Sequence, residues 1–169
     1  MSEVSEAIQA KCLAFSDRII KLNDYLLEQA SRKYDAGRQK YGIRKGKSSF
    51  SHQTSDLSQP SSFSHQPSRV PVHLQSVAAL ANQLLRSGTS IGANNAEATN
   101  AVSKTDYRAK SYIALKEARE SLYWIELLHR NNYIDDKQYQ SIYSDCEELV
   151  KVLTHRCKKI DEQLREDKK

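Results

Sequence analysis

Glycine and proline are scarce in this 169-residue chain, at five and three residues. A β-rich protein of that length needs many turn residues to reverse its strands, so helix is favoured before any periodicity is counted. Long apolar runs are missing too. No stretch approaches the roughly 20 apolar residues needed to span a bilayer, and the opening MSEVSEAIQAK has neither the basic nor the apolar segment of a secretory signal. The expectation is a cytoplasmic protein with no membrane contact. The three cysteines, Cys12, Cys146 and Cys157, are odd in number and widely spaced within apolar helical patterns. They read as reduced core residues, not as a disulfide framework or a metal set.

Site chemistry is equally sparse. The chain has no Gly-rich phosphate loop, no nucleophile elbow and no paired Cys and His motif. Glu117 and Glu120 lie three apart on one helical stretch, but a dicarboxylate metal site in a bundle also needs Glu-x-x-His on facing helices, which is lacking. His155 and Cys157, two apart, point in different directions on a helix and form no dyad. The reading is a non-enzymatic protein with no metal and no cofactor.

What is present is helical spacing. Ile8, Cys12, Phe15, Ile19, Leu22 and Leu26 step by 4, 3, 4, 3, 4 and keep one apolar stripe on one face. A second stripe runs through Val77, Ala81, Leu84, Gly88, Ile91, Asn95, Ala98 and Val102, entered at Pro71. The third opens at Ser103 with Asp106 as its capping partner and runs through Tyr107, Ser111, Ala114, Ala118, Leu122, Ile125 and Leu128. A fourth opens at Asp135 with Gln138 and runs through Ile142, Cys146, Leu149, Leu153, Cys157, Ile160 and Leu164. These patterns predict helices over about 4–34, 71–102, 104–130 and 136–166, in one all-α antiparallel four-helix bundle domain spanning 1–169. Gly88, Gly92 and the small residues around them imply a close helix contact, assigned to the third helix, whose stripe (Ser111, Ala114, Ala118, Ser121) is also small. Asn95 on the stripe reads as a buried amide that fixes register.

Residues 35–69 break the pattern. From Ser48 to Ser68 nine of 21 residues are serine, and SSFSHQ occurs twice, at 48–53 and 61–66. Such a tract has too little apolar content to offset the entropy of ordering, so it reads as a disordered insertion, with His52 and His65 incidental to a local duplication. It holds six basic and two acidic residues, a net +4 of the chain's +5. Two readings stand for this charge: an electrostatic arm for an anionic partner, or a solubilising linker.

Two sets of side chains remain for function. The cations Lys104, Arg108, Lys110, Lys116 and Arg119 on the third helix, with Arg38, Lys40, Arg44, Lys45 and Lys47 of the arm, are the candidate nucleic-acid-binding residues. Ile113, Trp124 and Leu127 lie off the core stripe but share a side of the third helix, because 113, 117, 120, 124 and 127 step by 4, 3, 4, 3. A helix apolar on two faces has two partners, and two readings stand for the second: another subunit, with Trp124 as anchor, or a monomer in which the third helix is simply the most buried element.

The segments LLRSGTSIGANNAEA (Leu84 to Ala98), SKTDY and ALKEARESLYWIELL (Ala114 to Leu128) resemble a bacterial four-helix bundle family first named for proteins encoded in intervening sequences of large-subunit ribosomal RNA genes. The likeness is strongest over residues 84–130. Relatives in this fold include the accessory variability determinant of diversity-generating retroelements, a homopentameric barrel that binds a reverse transcriptase and nucleic acid. The resemblance implies a homopentamer, an accessory non-catalytic role, and a reverse transcriptase and nucleic acid as partners. The chain departs from the family in its insertion and at Asn95, where an apolar residue is common. Two functions stay open: a nucleic-acid-binding accessory protein, and a protein interaction scaffold with no nucleic-acid role.

Replacing residues 36–68 with a short Gly/Ser loop should preserve helicity by circular dichroism and lower the closure cost by about 0.6 kcal/mol per halving of loop length. A large fall in thermal midpoint would show that the segment packs on the bundle.

Overall fold

A computed structural model describes residues 3–40 and 72–167, with side chains over 3–37 and 75–167. Four helices account for nearly all of this: α1 (Glu3–Lys40), α2 (Val72–Thr99), α3 (Lys104–Arg130) and α4 (Asp136–Glu166). The Ser-rich tract and Arg44, Lys45 and Lys47 lie outside the described residues.

The helix ends follow local chemistry. Ser103 caps α3, its Oγ accepting from the Asp106 amide at 3.1 Å, while the Asp106 carboxylate accepts from the Val102 amide. Asp135 and Gln138 form the full reciprocal box at α4, at 2.8 and 3.0 Å. α3 stops because Asn132 takes a left-handed φ of 56°, letting the Tyr133 amide reach Leu128 O and the Asn132 amide reach His129 O. Two ends differ from the periodicity. α1 continues through Lys40, so residues 35–40 are helix and not insertion. Ala36, Arg38, Gln39 and Lys40 favour helix, and one glycine, at about 1 kcal/mol, does not end it. α2 instead stops at Thr99, and Val102, expected on the core stripe, is 93% exposed because the turn into the α3 cap carries it outward.

Short links at 100–103 and 131–135 make α2, α3 and α4 antiparallel neighbours. Side-chain pairs show the register: Ser5 with Thr99, Lys11 with Glu148, Ser87 with Ser121, Tyr139 with Glu126. α2 packs closely on both α1 and α3, α3 packs on α4, and the α1–α4 seam is the loosest. The stripes meet in one core that includes Ile8, Phe15, Ile19, Leu84, Ile91, Ile125, Leu128, Leu149 and Leu153. Leu115, Ala30 and Ile134 join it from outside the periodic stripes.

The glycines of α2 face α1, not α3 as their small-residue context implied. A methyl group on Gly88 would stand 2.9 Å from Cγ1 and 3.2 Å from Cγ2 of Ile19, and one on Gly92 would meet Cys12 Cβ at an ordinary 3.5 Å. α3 approaches α2 through serines instead, Ser121 Oγ donating to Ser87 Oγ at 2.9 Å with both side chains buried. The two glycines therefore respond oppositely to alanine. Gly88→Ala should destabilise by about 1–3 kcal/mol, since Ile19 is fully buried and stiff at χ1, whereas Gly92→Ala should stabilise by about 1 kcal/mol through helix propensity. Urea unfolding of the two variants checks the difference in sign.

Candidate nucleic-acid interface

The five candidate cations of α3 do not form one open stripe. Lys104 pairs with Asp167 at 2.6 Å, Arg108 with Asp161 at 2.5 Å, and Lys110 with Glu97. Each bridges α3 to a neighbouring helix, so its charge is already matched. Asp161 also accepts from the Tyr112 hydroxyl at 2.6 Å, and these two donors hold its carboxyl below the usual range. Lys116 and Arg119 are exposed and enter no ion pair among the described residues. Arg38 and Lys40, from the arm, stand in the last turn of α1.

Lys116 and Arg119 sit with Tyr112, Ile113 and Leu115 around a depression of about 320 Å³. Ile113, read from the sequence as an interface residue, thus shares a site with two candidate phosphate contacts. Ile113 is 39% exposed. Trp124 and Leu127 are only half-buried, and Trp124 packs against the core, donates Nε1 to Glu120 Oε1 at 3.0 Å and lies edge-on to Tyr123. Its neighbour Tyr123, at 58%, is the more exposed aromatic of this face. Burial and the nearby Glu120 raise the Glu117 carboxyl, a consequence of two acids on one half-buried side of α3.

A second polar feature lies inside. Asn95, fully buried on α2, donates Nδ2 to Gln9 of α1 and accepts through Oδ1 from Arg156 of α4, a chain of hydrogen bonds across three helices. Arg156 is itself buried, with its guanidinium 5.9 Å from the centroid of the Tyr107 ring. Its Nε and Nη1 have no hydrogen-bond partner among the described residues. Unmet buried donors cost about 1–3 kcal/mol, and more when charged, so this position opposes the rest of the core. Periodicity offered one signal for it: Leu149, Leu153, Arg156 and Ile160 also step by 4, 3, 4. Reading Cys157 as the stripe residue hid the arginine beside it.

The three thiols are buried. Burial pushes the Cys12 thiol up to about 11 and Cys146 up to about 12, and it raises Cys157 as well. Such thiols hold their protons and do not act as nucleophiles. Among the described residues no cluster of three His, Cys, Asp or Glu could hold a metal, and no helix is long and apolar enough to cross a membrane.

A family model of 23S rRNA-intervening sequence proteins matches residues 71–155. The chain is also similar to the crystal structure of a protein of unknown function from the S23 ribosomal protein family of Bacteroides thetaiotaomicron. The two share 32% identity over 92% of this chain and 98% of that one, with a TM-score of 0.63. No curated protein matches. The family match falls on the central helices whose caps, serine contacts and buried asparagine are described above, and the similar structure extends the likeness to α1. The chain belongs to the family of 23S rRNA-intervening sequence proteins.

Proposed function

We propose that this protein is a non-enzymatic, oligomeric accessory protein that binds RNA or DNA through basic surfaces, with a reverse transcriptase as a partner in the manner of retroelement accessory proteins. The observation that carries the nucleic-acid reading is the α3 depression. There Lys116 and Arg119, in no ion pair among the described residues, flank the exposed Tyr112 and Ile113. Cations beside the Tyr112 ring, one face of which already carries the Arg108 guanidinium at 4.7 Å, suit a strand whose phosphates meet charge while a base stacks on the other face, without base-specific readout. Assembly as a homopentamer would repeat this site and the chain's +5 around a ring and concentrate the field that draws a polyanion. The family's association by name with 23S rRNA intervening sequences is consistent with an RNA context.

A scaffold reading has its own support on α1. Leu13, Ile20 and Leu27, seven apart and 57%, 44% and 40% exposed, form an apolar line away from the core, as a helix does when it meets another protein.

Retention of labelled nucleic acid on a filter separates the two. Lys116→Glu with Arg119→Glu should weaken binding by about tenfold or more and flatten the salt slope by roughly one for each phosphate no longer neutralised. Lys104→Glu with Lys110→Glu should do less, since these lysines already serve acids. If the wild-type protein binds nothing at roughly 50 mM salt, where non-specific affinity is strongest, the scaffold reading replaces this one. For assembly, light scattering should give a multiple of the 19.3 kDa protomer, and Leu127→Asp, at a half-buried position off the core, should shift it towards monomer without loss of helicity. A wild-type mass equal to one protomer would rule the oligomer out.

A further inference from the structure

The loose α1–α4 seam opens into a groove of about 780 Å³. Val4 and Ile8 of α1 and Val152 and Ile160 of α4 give it apolar walls. Its charged lining is basic, from Lys151, Arg156 and Lys159 with His155 beside them, and among the described residues no carboxylate lines it.

Arg156 is 8% exposed, and its Nε and Nη1 have no hydrogen-bond partner among the described residues. A guanidinium keeps its charge at every accessible pH, and burial is tolerated when a counter-charge meets it. The contacts it has are the amide oxygen of Asn95 and the Tyr107 ring, both neutral. Three acids of α4 serve other cations: Glu147 pairs with Lys151, Glu148 with Lys11, and Asp161 with Arg108. The segment 41–71, with four basic residues and one acidic residue, brings no net negative charge.

We propose that this groove is an anion site in which Arg156 takes the phosphate of a nucleotide, with Lys159 and His155 at the rim. The apolar walls and the Tyr107 ring receive the uncharged body of the ligand. The volume suits one nucleotide. The choice of a nucleotide phosphate over other anions rests on the nucleic-acid reading above. A free mononucleotide and a strand end present the same group. Because Nε and Nη1 are closed to solvent, the phosphate reaches them by parting the first turns of α1 from α4, the pair of neighbouring helices that hold each other least.

Thermal unfolding of the full chain with added ligand tests the site, since a ligand that binds only the folded state raises the midpoint with concentration. The probes are inorganic phosphate, adenosine monophosphate, and a short single-stranded oligonucleotide with and without a 5′ phosphate. The mononucleotide should stabilise more than inorganic phosphate does, and Lys159→Gln, an exposed change that leaves the fold alone, should weaken it by about threefold to tenfold. Asn95→Leu with Arg156→Met replaces the polar layer by apolar groups. This variant should stay helical and lose the response. A response to adenosine monophosphate assigns the site to a free nucleotide, and one confined to the 5′-phosphorylated strand assigns it to a nucleic-acid end. The proposal is overturned if no probe moves the wild-type midpoint, if a simple carboxylate such as acetate stabilises as well as phosphate, or if both variants respond like the wild type. Filter retention of long nucleic acid that survives any of these results leaves the α3 reading intact, and its failure beside a persistent mononucleotide response leaves the groove intact.

Discussion

Ile19 of α1 lies against Gly88 of α2 with no space for a methyl group between them, and this approach sets the rest of the bundle. With the backbones this close, Cys12 fills the next turn over Gly92 and Gln9 comes within reach of Asn95. A wider spacing would leave the small side chains of α2 lining a void, and voids in a close-packed interior forfeit contact energy at once. Gly88 costs helix propensity locally and returns it through contact across the interface, whereas at Gly92 a methyl group would fit at an ordinary distance. On the opposite side of α2 the same economy of size is met by serines, Ser87 with Ser121, which let α3 approach while satisfying one another's hydroxyls.

At the end of the bundle where α1 begins and α4 finishes, close packing gives way to polar contact. Gln9, Asn95 and Arg156 join α1, α2 and α4 through side-chain hydrogen bonds. Buried amides of this kind fix register because a slipped helix leaves them unmatched. They do not need a cation. Arg156 adds a charge that register alone does not call for, at the seam the other contacts hold least tightly. Its burial and its unmatched donors are what set this end apart from an ordinary polar layer.

Much of the fold was legible in the sequence because a bundle is written in its spacing. Every stripe residue from Ile8 to Leu26 is buried or half-buried, and the starts of α3 and α4 follow from Ser103 and Asp135, whose side chains reach their own backbone three residues on. Ends that depend on context were less legible. α1 outruns its apolar stripe because ordinary propensity carries it to Lys40, and α2 falls short of Val102 because the next cap pulls the chain away. The partner of the glycines was misjudged for a related reason: small residues announce a close approach but not its direction. Ion pairing was invisible, since Asp161 and Asp167 are far in sequence from the arginine and lysine they hold. Arg156 was hidden by Cys157, because both positions satisfy helical spacing and the apolar one looks like the core.

Charge therefore has to be counted after folding, not before. Composition gives a basic chain, yet Lys104, Arg108 and Lys110 of α3 spend their charge on holding helices together. Exposed pairs of this sort contribute little stability, a fraction of a kcal/mol to about 1 kcal/mol each, but they cancel field at the surface where a polyanion would dock. The positive potential that survives comes from cations without such partners, and two groups of them stand out. Lys116 and Arg119 beside Tyr112 hold a shallow, exposed position suited to fast capture, while Arg156 holds a deep one. A rim charge acts mainly on the rate of encounter and is screened by salt, whereas a desolvated one acts on residence. Ionic strength would thus separate the two, because the depression on α3 would lose its hold as salt rises and the groove at Arg156, shielded from solvent ions, would lose far less.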